Sequence, residues 1–407
     1  MKQLRLFFAC IMLAMVAATA SAADNYTVIV SLDGFRWDYA EGFDTPFFDR
    51  LANNGVKATM MPSFPSKTFP NHYTLATGLY PDHHGLIGNS FKNKETGNFY
   101  SISTKNPERN NTKLYGGEPI WITAQRQGLK TATVYWVGSD IPIQGQHPTY
   151  WRDYAKWPLL TYDERVKEVI DHLKRPENER PRLIMCYFSE PDHSGHGYGP
   201  IERRHTRVQI ETLDSLLYNL WTRIKMVPEV GDRVNLIITG DHGMTWLDPN
   251  RRVSVKKYVK KHEWGVEVSG DSPALLYCKS PEIVDSIMNA LEGVDHIRAW
   301  RKADVPEYLH FGSNPNMGDV VVLPDVGWLF TDRDVKPHTG GHGFDHTTSD
   351  MLIGFRAIGP DFKQGHTHPG YFPNVDIYPL LCHLLGIEPA PNDGNLDDIR
   401  DILKGNY

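Results

Sequence analysis

Asp192 and His196 stand four residues apart in EPDHSGHGYGP (Glu190 to Pro200). A carboxylate and an imidazole at that spacing can close on one metal ion from a helical turn or from a glycine-rich loop. Asp241 and His242, in ITGDHGM, are adjacent at the end of an apolar run, where neighbouring side chains diverge toward different groups. His342 lies in GGHGFDH (Gly340 to His346), between glycines that let the backbone bend around a site. With Asp33, just after YTVIVSL, the set is three Asp and three His without a thiolate. That mixture suits zinc, admits manganese or iron, and disfavours magnesium alone. Six protein ligands are too many for one tetrahedral zinc that keeps an open position, so two ions is the better count.

The chemistry such ions serve needs a nucleophile. Ser66 and Thr68 lie in PSKTFPNH (Pro65 to His72), ahead of TLATG, which reads as the start of a helix. Free backbone N–H groups and the positive end of the dipole at such a start favour a bound phosphate and an ionised alkoxide. A Thr hydroxyl needs a metal or a base to lower its pKa. Without the metal residues, either hydroxyl is read as a helix cap. Lys67, between them, either contacts a phosphate oxygen or faces solvent.

The elements that must position these residues alternate. Tyr26 to Leu32, Lys130 to Val137, Leu183 to Phe188 and Val234 to Thr239 read as buried strands. Helical patterns separate them, including Tyr162 to Leu173 and a stripe of Leu213, Leu216, Leu217, Leu220, Trp221 and Ile224. This predicts an α/β fold: a mainly parallel central sheet with helices on both faces. Three of the strands end at Asp33, Glu190-Pro191-Asp192 and Asp241-His242, so one sheet edge should collect them. Residues 246–339 are less regular and read as a small inserted cap.

The 407 residues are 40% hydrophobic and 23% charged, ordinary for a globular protein, and a formal charge of −6 gives no reason to expect nucleic acid or anionic membrane as a partner. Lys2, Arg5, the apolar run Leu6 to Ala18 and Ala20-Ser21-Ala22 read as a signal peptide over 1–22. The remainder, 23–407, is expected to be a single catalytic domain, exported to the periplasm or secreted, with no membrane span. Cys186, Cys278 and Cys382 are too few and odd in number for a disulfide scaffold and are expected to be buried.

SLDGFR (Ser31 to Arg36), FPSKTFPNHYTLATGLYPDHHGLIGN (Phe64 to Asn89), EPDHSGHGYGP, DHGM and GGHGFDH occur in one order over nearly the whole chain. Together they resemble the nucleotide pyrophosphatase/phosphodiesterase family of the alkaline phosphatase superfamily. The resemblance implies two Zn²⁺ per chain, one held by Asp192, His196 and His342. Asp33, Asp241 and His242 hold the other, which also touches Thr68. It implies Thr68 as the nucleophile, a phosphothreonine intermediate, and Asn89 as a donor to a phosphate oxygen. Phe69, Tyr187 and Tyr154 would hold a nucleotide base by stacking, with Trp157 as the other choice for the third. The implied reaction releases nucleoside 5′-monophosphates from phosphodiesters and pyrophosphates. A choline-phosphodiester or lysophospholipid hydrolase, or a phosphate monoesterase, would use the same metals. Asp345 and His346 would orient His342 from behind, although the family pattern has Asn where His346 stands.

Overall fold

The computed structural model describes residues 25–202, 204–337 and 339–405, so the expected signal peptide lies outside the described residues. Eight strands form the main sheet: β1 (Tyr26–Leu32), β2 (Val56–Met61), β3 (Thr131–Val134), β4 (Tyr150–Trp151), β5 (Leu183–Phe188), β6 (Val234–Thr239), β7 (Ile353–Ile358) and β8 (His366–Pro373). Their order is β8-β2-β7-β6-β1-β5-β3-β4. From β6 through β1, β5 and β3 to β4 all pairings are parallel, while β7 runs antiparallel to both β6 and β2.

Alternation along the central strands feeds two cores. Val28, Val30 and Leu32 of β1 join one apolar cluster with Ile184, Cys186, Leu236 and Ile238. Ile29, Met185 and Ile237 point the other way into a second. Helices α1 (Pro46–Asn54), α3 (Tyr162–Leu173) and α5 (Thr206–Lys225) cover the first face, and α2 (Thr68–Thr77) and α6 (Ile377–Leu385) cover the second. A strand buried on both sides is mostly apolar, which is why β1, β5 and β6 read as hydrophobic runs, broken only by small or hydrogen-bonded polar residues such as Ser31 and Asn235. Helix α3 starts where Thr161 Oγ1 accepts from Glu164 N and Glu164 Oε2 accepts from Thr161 N, a reciprocal cap. The stripe on α5 buries Leu213, Leu217, Leu220, Trp221 and Ile224.

Two sequence expectations need correction here. The run Lys130 to Val137 pairs only over β3, because Tyr135 takes φ 63° and turns the chain out of the ladder. Of the cysteines, Cys186 and Cys382 are buried but Cys278 is half-buried.

After β6 the chain leaves the body through Thr245–Leu247 and returns through Thr339–Gly341, and these two short strands pair antiparallel. The stretch between them carries its own antiparallel sheet, ordered Glu267–Ser269, Ala274–Tyr277, Val320–Pro324, Ile297–Arg301. Ile287 and Leu291 of the helix Pro281–Leu291 are buried in the same apolar cluster as Leu276 and Val322. Asp82 clamps this excursion to the body. Its carboxylate accepts from the N–H groups of Gly312 (3.1 Å), Ser313 (2.7 Å) and Asn314 (3.1 Å), and from Ser313 Oγ (2.5 Å). Asp82→Ala strips the acceptor from three main-chain donors. It should lower the unfolding free energy by about 3 kcal/mol, read as an earlier denaturant midpoint.

Candidate active site

Parallel strands β6, β1 and β5 are neighbours, so their carboxyl ends put Asp241-His242, Asp33 and Asp192 on one edge. Asp192 opens helix α4 (Asp192–Tyr198), and its N–H donates to Asp33 O at 2.8 Å. Gly34 makes this approach possible. Its φ of +70° suits glycine, and a Cβ there would stand 3.0 Å from Asp192 Cα. The Gly34 N–H donates to Asp241 Oδ1 at 3.0 Å and so fixes that carboxylate.

The six expected ligands fall into two adjoining groups. In the first, His242 Nε2 lies 3.4 Å from Asp33 Oδ1 and 3.1 Å from Asp241 Oδ2. In the second, Asp192 Oδ1 lies 3.4 Å from His196 Nε2 and 3.6 Å from His342 Nε2, and the two imidazole nitrogens are 3.2 Å apart. The rings of His242 and His342 stack at 3.6 Å, so the groups share a wall. Asp192, His242 and His342 themselves converge to within 4.8 Å.

Each imidazole is turned the same way. His196 Nδ1 meets Gly340 O at 2.8 Å, His342 Nδ1 meets Ser66 O at 2.9 Å, and His242 Nδ1 meets Gly243 O at 2.8 Å. Those carbonyls assign the proton to Nδ1 and leave the Nε2 lone pair facing the cluster. The carboxylate oxygens opposite, Asp33 Oδ1, Asp192 Oδ1 and Asp241 Oδ2, have no hydrogen-bond donor among the described residues. Lone pairs therefore face lone pairs at 3.1 to 3.6 Å, an arrangement that a cation between them makes favourable. The electrostatics agree. Burial, and then the nearby Asp241 and Asp192, push the Asp33 carboxyl well up, and burial raises Asp192. Burial would raise Asp241 as well, but the hydrogen bond from the Gly34 N–H to its Oδ1 opposes that. The donor set thus fits divalent cations.

The support behind the ligands is only partly the expected one. Asp345 and His346 do not orient His342. Asp345 accepts from Arg298 Nη2 (2.9 Å) and Tyr308 Oη (2.7 Å), while His346 packs beside Phe64 and Tyr308. The Ser66 carbonyl holds His342 instead, a contact across 276 residues that local spacing cannot reveal. His72, on α2, stands fully buried with Nδ1 3.3 Å from Asp241 Oδ2 and 3.0 Å from Thr68 O. Tyr187 donates its hydroxyl to Asp33 Oδ2 at 2.6 Å, so it positions a ligand as well as lining the adjacent cleft.

Thr68 is the first residue of α2, and its Oγ1 lies 3.2 Å from His242 Nε2. Neither it nor Ser66 caps the helix. The cap position is Lys67, and Ser66 Oγ donates to Phe344 O and accepts from Gly343 N. Lys67 Nζ donates to His342 O at 2.7 Å. Asn89 Oδ1 accepts from the Phe69 N–H at 3.0 Å, which commits its oxygen and leaves its amide hydrogens to donate elsewhere.

Beside Thr68 opens a cleft of about 220 Å³ whose walls include Phe69, Tyr154 and Tyr187. Trp157 is no part of it, being 79% exposed beside a different hollow. The cleft also holds Tyr135, Arg109 and Asp140, which sequence reasoning missed. Arg109 Nη2 donates to Asp140 Oδ2 at 2.7 Å, and the guanidinium lies 6.0 Å from the Phe69 ring centre. Arg109 Nε and Asp140 Oδ1 have no partner among the described residues.

A family model described as type I phosphodiesterase / nucleotide pyrophosphatase matches residues 27–345. Ectonucleotide pyrophosphatase/phosphodiesterase family member 3 of Bos taurus is 34% identical over 391 residues, covering 93% of this chain and 44% of the relative. The venom phosphodiesterase of Naja atra is 33% identical over 393 residues, 93% of this chain and 46% of its own length. The chain thus spans less than half the length of these curated relatives. The solved structure of murine ectonucleotide pyrophosphatase/phosphodiesterase 5 superposes with a TM-score of 0.85 at 30% identity, covering 93% of this chain and 100% of that one. An inactive threonine-to-alanine form of the murine protein, in complex with AMP, gives a TM-score of 0.86 at 30% identity, covering 94% of this chain and 100% of that one. By fold and by sequence, this chain belongs to the type I phosphodiesterase / nucleotide pyrophosphatase family.

Proposed function

We propose that residues 23–407 form one exported, two-zinc phosphodiesterase that hydrolyses nucleotide diesters and pyrophosphates to nucleoside 5′-monophosphates. One observation carries this reading. The Thr68 hydroxyl sits at a helix N-terminus, 3.2 Å from His242 Nε2, between the ligand groups and an aromatic cleft. Asp192, His196 and His342 would hold one ion, and Asp33, Asp241, His242 and Thr68 the other. Bound zinc would lower the pKa of coordinated oxygen and neutralise charge growing on the phosphoryl group.

The chain's residues supply the rest. Phe69, Tyr187 and Tyr154 would seat the base and bring the 5′-phosphorus to Thr68 Oγ1. The Asn89 amide would donate to a non-bridging oxygen. Attack by Thr68 Oγ1 forms one P–O bond and breaks that to the leaving group, which departs with the bonding pair. Water then adds to the phosphothreonine, releasing the monophosphate and restoring the hydroxyl. The AMP complex of the murine relative supports a nucleotide as ligand.

A substrate panel of ATP, NAD, a dinucleoside polyphosphate, glycerophosphocholine and nitrophenyl phosphate tests the reading. The nucleotides should be cleaved to monophosphates fastest; preference for glycerophosphocholine would refute it. Phe69→Ala should raise KM for the nucleotides about tenfold and leave metal content unchanged, since one base-stacking face is worth about 1–3 kcal/mol.

A further inference from the structure

The excursion meets the body again at a hairpin, Ser90–Lys92 paired with Phe99–Ser101. The Lys92 N–H donates to Tyr277 Oη at 3.0 Å and the Lys94 N–H to Asn316 Oδ1 at 2.9 Å, so hairpin and excursion are held together. A hollow of about 790 Å³ opens along this seam. A second of about 330 Å³ continues it, the two sharing Cys278, Lys279 and Asp319. No residue of the metal groups or of the aromatic cleft lines either hollow.

The trench so formed is basic, in a chain whose formal charge is −6. Six cations line it, Lys92, Lys94, Lys261, Lys279, Arg301 and Lys302, against two acids, Glu267 and Asp319. Glu267 pairs with Lys92, Asp319 with Lys94 at 3.3 Å, and Arg301 with Asp285 at 2.6 Å. Lys261, Lys279 and Lys302 have no carboxylate partner among the described residues. Ammonium groups are compact point charges that gather phosphate oxygens. Three of them spread over two joined hollows suit a chain of anions better than a single one, and a concave seam suits a chain better than a flat bilayer. A nucleic-acid strand would call for exposed rings on which to stack its bases. The one Phe, Tyr or Trp in the lining, Tyr277, is buried.

We propose that this trench is a second, non-catalytic binding site, for a linear phosphate polymer without bases, such as inorganic polyphosphate. It stands independently of the chemistry at Thr68.

The test is the fluorescence anisotropy of end-labelled polyphosphate, kept far below the protein concentration so that it strips no metal, with AMP added to fill the cleft beside Thr68. Lys261→Ser/Lys279→Ser/Lys302→Ser should weaken binding about tenfold or more, the size expected of three partly solvated charge contacts. The slope of log K against log salt should flatten by about two. Lys167→Ser/Lys174→Ser/Lys225→Ser removes as many charges from exposed positions elsewhere and should leave the affinity unchanged. The three trench lysines are half-buried or exposed, so melting temperatures should match wild type. Wild-type protein that does not bind the polymer, a trench variant that binds as well as wild type, or equal weakening in both variants would overturn the site. Tighter binding of a thymidine oligonucleotide of matched charge would overturn the assignment to a base-free chain.

Discussion

Thr68→Ala should abolish turnover, lowering kcat by about 10⁴-fold or more, as removal of a covalent nucleophile does elsewhere. The loss has a specific cause. Thr68 Oγ1 is the hydroxyl beside His242 Nε2, and Ser66 Oγ, the nearest alternative in sequence, is committed to Phe344 O and Gly343 N. Asp33, Asp241 and His242 remain in the variant, so metal content and melting temperature should stay close to wild type. Thr68→Ser, which keeps an oxygen, should recover much of the activity. A variant with alanine that retained even a few per cent of wild-type kcat would remove Thr68 from the reaction.

Stripping the metal should have the other large effect. Dialysis against a chelator should take activity to background and lower the melting temperature, and added zinc should restore both. Without cations, Asp33, Asp192 and Asp241 keep oxygens that lack any donor among the described residues and face imidazole lone pairs. Whatever binds only the native state stabilises it by mass action, about 4 kcal/mol at a thousand times its Kd. Full activity in protein with no detectable transition metal would refute the metal assignment.

The strands that carry the ligands were legible because burial on both faces makes β1, β5 and β6 mostly apolar and lets the acids just beyond them stand out. Strand β2 alternates buried and half-buried residues, so the antiparallel side of the sheet left no such run. Arg109, in the short 3-10 turn Pro107–Asn110, and Asp140 are paired across 31 residues, and nothing local marks them as cleft residues. Nothing local marks His72 either, and it is the helical turn from Thr68 that carries its ring to Asp241. His342 shows the limit most clearly. Its flanking Asp345 and His346 suggested a local brace, whereas the fold supplies a carbonyl from the strand-to-helix turn at Ser66.

The paired strands Thr245–Leu247 and Thr339–Gly341 close the excursion just after His242 and just before His342. Whatever length of chain is looped out between them, the ladder returns it to the same point. The ends of the excursion are therefore pinned to each other, so chain between them can lengthen or shorten while both histidines keep their register.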